Sequence, residues 1–123
     1  MSHELHYFVS IDIFVDGLAV TENLVCKSDY ENRNTLRRDL LIEWFGSRDE
    51  STGVWAGIDL DFSTERVFVE DVYDVPYERV KFRTITQHDY AVLKPYLRSV
   101  ELRSEQAGIY EQAVHDLSNA QSN

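Results

Sequence analysis

The sequence predicts a single α+β domain, with a mainly antiparallel sheet of about four to five strands and two to three helices packed on one face. Three observations carry this. A long period-two alternation opens the chain and runs into a glycine turn. A stretch with apolar residues at spacing four follows. The remaining elements are joined by short polar links, which favour antiparallel neighbours.

The first strand is expected from about Leu5 to Asp16. Tyr7, Val9, Ile11, Ile13 and Val15 form one stripe, and Ser10 and Asp12 face the other way. Asp16-Gly17 is a hairpin signal, because a type I′ turn needs positive φ. A second strand, Leu18 to about Lys27, should pair back on the first. Ser28 and Glu31 have capping-box spacing, so a helix is expected after Ser28, running to Phe45. Leu36, Leu40 and Trp44 mark its buried face, and Gly46 suits a left-handed stop. Ser47 to Gly53 reads as a polar loop.

In the next strand Val54, Ala56, Ile58, Leu60 and Phe62 should point inward, alternating with Trp55, Gly57, Asp59 and Asp61. Arg66 to Val69 reads as a strand, Glu70 to Pro76 as a loop or irregular edge, and Glu78 to Ile85 as a strand. Thr86 and Asp89 mark a helix start. Val92, Tyr96 and Val100 continue at helical spacing, with Pro95 kinking or splitting the segment. A last helix is expected from near Ser104, burying Ile109, Ala113, Val114 and Leu117. Residues 1–117 form the domain, and 118–123 are expected to be a frayed polar tail.

Charge narrows the function. Among 123 residues, 22 are acidic and 12 basic, a net of −10. Direct nucleic-acid binding is disfavoured, since phosphates would be repelled. The single Cys26 excludes an internal disulfide framework and a Cys-rich zinc site. A lone cysteine between Val25 and Lys27 reads as core filling. No apolar run reaches membrane-spanning length, and Met1-Ser2-His3-Glu4 lacks the basic start of a signal peptide. The expectation is a cytoplasmic protein. The glycines are scattered, with no phosphate-binding loop, and His3, His6, His88 and His115 show no ligand spacing. No cofactor and no metal ligand set is expected, and no catalytic constellation stands out.

The acid is unevenly placed. Between Ser47 and Glu78 there are nine acidic residues against Arg48 and Arg66, a net of −7. The plain explanation is a solvated sheet face with two polar loops. The functional one is a docking face for a basic protein surface, made by Glu70, Asp71, Tyr73, Asp74, Tyr77, Asp59 and Asp61. Tyrosine beside acid suits an interface, because Tyr supplies contact area at low entropy cost. The expected function is a small acidic binding protein of the inhibitor, immunity or counter-defence kind. Its carboxylates could mimic nucleic acid against a nucleic-acid-binding partner. Two alternatives are kept. One is a divalent-metal enzyme built on Asp12, Asp59 and Asp61. Against it, Asp59 and Asp61 are expected to face the Arg79, Lys81 and Arg83 stripe across the sheet. The other is a small-molecule pocket lined by Tyr and Trp, with Trp44 and Trp55 as probes. An open sheet edge would also allow a homodimer.

Overall fold

The computed structural model describes residues 4–70 and 73–119. Strands β1 (Leu5–Val15) and β2 (Leu18–Ser28) form a long antiparallel hairpin, in register from Leu5 opposite Ser28 to Val15 opposite Leu18. Asp16 (φ 52°) and Gly17 (φ 79°) both take the left-handed conformation that a two-residue type I′ turn demands. Tyr7, Val9, Ile11 and Ile13 are buried on one face, together with Leu24 and Cys26 of β2.

Helix α1 (Arg33–Phe45) starts four residues later than Ser28 would cap it. Its cap is Asn32, whose side-chain oxygen accepts from the amides of Asn34 (2.9 Å) and Thr35 (3.0 Å). Ser28 still belongs to β2, and its hydroxyl accepts from the Tyr30 amide in the link between them. Asn32→Ala is therefore expected to lower stability by about 1 kcal/mol, read from a denaturation midpoint. Gly46 is also not left-handed. It is extended (φ −78°), and glycine is needed because a Cβ would sit 2.5 Å from the Ile42 carbonyl oxygen and 3.2 Å from the Trp55 ring.

The expected loop after Gly46 contains β3 (Ser47–Arg48), paired with β4 (Trp55–Ala56) in a separate small ladder. Gly57 then takes φ 96° and shifts the alternation by one residue. Trp55 is consequently buried with Ile58 and Leu60, whereas Val54 and Phe62 are exposed. Strands β5 (Ile58–Asp61), β6 (Arg66–Val69) and β7 (Tyr73–Pro76) form an antiparallel meander. The segment read as a loop is thus partly an interior strand. β7 pairs with β6 on one side and with the end of β1 on the other, and Val75 is fully buried. A 3₁₀ turn at Tyr77–Arg79 leads to β8 (Val80–Ile85), which pairs with the first half of β1.

Helix α2 (Gln87–Leu93) is capped by Thr86, whose hydroxyl accepts from the Asp89 amide as the sequence implies. It stops before Pro95. The following segment is not helical but forms β9 (Arg98–Leu102), parallel to β2. Val92 and Tyr96 are exposed and only Val100 is buried, so their spacing of four does not mark a helix face. After a 3₁₀ turn at Ser104–Gln106, α3 (Ala107–Asn119) buries Tyr110, Ala113 and Leu117; of the other residues expected inside, Val114 is half-buried and Ile109 is exposed. The helix runs to Asn119, and most of the tail expected over 118–123 lies outside the described residues.

The architecture is α+β, but the main sheet is larger than expected and mixed. Its order is β5-β6-β7-β1-β2-β9, with β8 beside β7 on the same edge of β1. The helices do not share one face. α1 and α3 cover the Tyr7–Ile11 side, contributing Leu36, Leu40, Ala113 and Leu117 to its core. α2 lies on the reverse side, where the Tyr90 ring packs tilted against His6, with centroids 4.9 Å apart.

Candidate functional site

At the β5–β6–β7 end of the reverse side, where α3 contributes Asp116 and Leu117 beside Asp59 and Phe68, register aligns the side chains. Asp59 is opposite Phe68, Phe68 opposite Asp74, and Asp74 opposite Phe14. This places two carboxylates and two half-buried phenyl rings in one row across four strands. Asp61 and Arg66 form the next pair along β5 and β6.

The candidate residues take different roles. Asp59 makes no hydrogen bond or ion pair within the described residues. It lines a depression of about 260 Å³ with Phe68, Glu70 and Asp116. Glu70 is exposed at the end of β6, in a left-handed conformation (φ 55°). Tyr73 is exposed at the start of β7. Asp71 lies outside the described residues. Asp61 is occupied by its own turn. Its Oδ1 accepts from the Ser63 hydroxyl (2.7 Å) and the Ser63 and Thr64 amides, which hold its carboxyl below the usual range. Asp74 is ion-paired with Arg66, while its other oxygen is buried without a partner. Tyr77 packs against the core, and burial pushes its phenol up to about 12.

Asp116 was not singled out from sequence, because it comes from α3 and reaches the depression only through tertiary packing. It accepts from the Trp55 amide (3.1 Å) and from Gln112 (2.8 Å).

The expected charge pairing across the sheet does not occur. β6 and β7 stand between β5 and β1, so Asp59 and Asp61 do not face Arg79, Lys81 and Arg83. Arg79 instead approaches Asp12 at 3.6 Å, and Asp12 also accepts from Thr21 (2.8 Å). The three carboxylates of the metal reading are therefore separated. Among the described residues no His, Cys, Asp or Glu group is placed to hold a metal ion.

The cations gather on and beside β8. Lys81 and Arg83 are exposed and form no ion pair among the described residues. On the helix-covered side Arg33 lies over the Tyr7 and Phe82 rings (5.0 and 5.6 Å), and Arg37 over Phe82 (5.8 Å). The domain thus has an acidic end at β5–β7 and a basic edge at β8.

A second polar cluster is internal. Asp39 is fully buried on α1, accepting from the Tyr30 hydroxyl (2.7 Å) and Arg38 Nε (2.9 Å); Arg38 also reaches Glu111 (3.1 Å). Asp39 stands three residues after Leu36, on the apolar side of the helix, and that position is the signal the sequence held. Burial pushes its carboxyl above the usual range, and it raises the Tyr30 phenol as well. For the ligand-pocket reading, an open groove of about 800 Å³ lies at the start of α1 between Tyr7, Tyr30, Arg33 and Ser104. Neither tryptophan lines it: Trp44 is covered by the Arg98 guanidinium at 3.8 Å, and Trp55 is buried against Tyr110. Cys26 is buried in the core, with its thiol pushed up to about 12 by desolvation.

No helix among the described residues is long and apolar enough to cross a membrane. Comparison with protein-family models, with curated proteins and with solved structures finds no match to this chain.

Proposed function

We propose that this chain is a cytoplasmic protein-binding protein that docks its acidic β5–β7 end on a basic surface of another protein. The observation that carries this reading is the row of Asp59, Phe68, Asp74 and Phe14 on the side of the sheet opposite Tyr7 and Ile11, with Glu70 and Asp116 beside it. Half-buried rings supply apolar contact area, and unpaired acid around them supplies long-range attraction to a positive surface. The narrower version is that of an inhibitor whose carboxylates occupy the phosphate sites of a nucleic-acid-binding protein. That version rests on the same acid and on a net charge of −10.

The geometry refines which residues to test. Neutralising Asp74 would leave Arg66 without its partner, and neutralising Asp61 would undo a turn. Asp59→Asn with Glu70→Gln removes charge and touches neither. The double variant is expected to keep the parent's denaturation midpoint. In side-by-side capture from lysate, the parent should retain a partner at low salt and release it as salt rises. The variant should retain much less of it. Equal retention by both proteins, or retention indifferent to salt, would overturn the reading.

A further inference from the structure

We infer that the chain self-associates by adding the acidic edge strand β5 of one copy to the basic edge strand β8 of another. Each strand has one ladder partner among the described residues, β6 for β5 and β1 for β8, so each has one edge without a strand; at the start of β8 the Val80 carbonyl already accepts from Arg37 Nε (2.9 Å), which leaves Lys81–Ile85 for pairing. Edge strands expose backbone donors and acceptors that another strand can pair with.

The side chains set the register. Asp59 and Asp61 share a sheet face with Phe68 and Asp74, and Lys81 and Arg83 share that same face through Ser10 and Phe8. Antiparallel pairing with Asp61 opposite Lys81 then brings Asp59 opposite Arg83. It also sets Leu60 opposite Phe82 and Ile58 opposite Thr84 on the other face. Both charged pairs are complementary, and both apolar residues of β5 meet residues that are not acidic. A slip of two residues one way sets Asp59 opposite Ile85, and the other way sets Asp61 opposite Arg79, which lies outside β8 and faces Asp12; a slip of one puts acid on the apolar face.

The cations are also available. Among the described residues Lys81 and Arg83 stay without ion pairs, in a chain holding 22 acidic residues. Asp59 is likewise unengaged, and its neighbours Glu70 and Asp116 strengthen the negative potential there. Lysine and arginine on an edge can serve only to block pairing with other chains. That role needs no complementary strand, whereas one register of β5 on β8 sets both carboxylates opposite both cations.

The test is sedimentation velocity at low and high salt, using the parent and two reversed variants, Arg83→Glu and Asp59→Lys. The parent should form species heavier than the 14.4 kDa monomer at low salt and shift toward monomer at high salt. Each reversed variant alone should associate at least about tenfold more weakly, because like charges then face each other. An equimolar mixture of the two should restore association, since each reversed strand meets its opposite in the other chain. Far-UV circular dichroism checks folding; if a reversed chain unfolds, Arg83→Gln or Asp59→Asn replaces it, with a smaller loss expected. A parent that stays monomeric at low salt and high protein concentration overturns the inference. So does association that ignores either reversal, or a mixture that restores nothing. Arg83→Glu leaves the acidic end intact, so failure of self-association is separable from failure of partner docking.

Discussion

Asp39→Ala is expected to destabilise the fold by about 3–5 kcal/mol, the usual cost of breaking a buried charged pair from one side. Asp39 is fully buried and holds both the Tyr30 hydroxyl and the Arg38 guanidinium. Truncation would leave the Tyr30 phenol without its acceptor and Arg38 with Glu111 alone, as well as a small void in α1 packing. Asp39→Asn keeps the volume and one acceptor oxygen, so it should cost less. Equal midpoints for Asp39→Ala and parent in urea would show that the network does not stabilise the domain.

The same residue has a pH signature. Burial holds its carboxyl above the usual range. Between the ordinary value and the raised one, the folded chain keeps a proton that the unfolded chain has lost. Its contribution to stability therefore falls as pH rises through that interval. Relative to Asp39→Asn, the parent should gain stability as pH is lowered from 7 to about 4. Asp29, held low by Ser104, and Asp49 and Asp61, held low by Ser51 and Ser63, act oppositely. Their contributions are lost as pH falls through their lowered values. They are common to both proteins, so the difference between parent and variant isolates Asp39. A difference that does not change with pH would mean that Asp39 ionises at its ordinary value.

Leu40→Ala is the second large effect, expected at about 2–5 kcal/mol for a fully buried leucine. For a domain near this size each kcal/mol lowers Tm by roughly 4 °C, so the shift is readily measured. Trp44→Ala, one turn further along, should cost less than half as much. Its ring is only partly buried, and the Arg98 guanidinium covers it in place of core side chains. If Trp44→Ala proves the costlier substitution, the inner face of α1 has been placed one position out.

Much of the fold was legible where a local rule acts alone. The β1–β2 hairpin follows from strict alternation and from a turn needing two residues at positive φ. α1 and α3 follow from apolar spacing, and the start of α2 from a hydroxyl three residues before an aspartate. The acidic bias between Ser47 and Glu78 is a property of composition and needs no coordinates.

Other features depended on partners distant in sequence. Asn32 caps α1 instead of Ser28 because β2 extends through Ser28, which only its pairing with β1 decides. Arg98–Leu102 is a strand because β2 offers it a parallel edge, and a parallel partner leaves no turn signal between the two. Tyr73–Pro76 is an interior strand because β6 and β1 flank it, against a local composition that reads as loop. The site divides in the same way. That Asp59, Glu70 and Tyr73 are acidic or aromatic was plain from the chain. That Asp74 and Asp61 serve the fold, that Asp116 joins Asp59, and that Lys81 and Arg83 stand on β8, several strands from β5 on the same face, was decided by sheet order and packing. Sequence alone determined which charges this protein carries; only packing decided which are neutralised inside it and which are left facing outward.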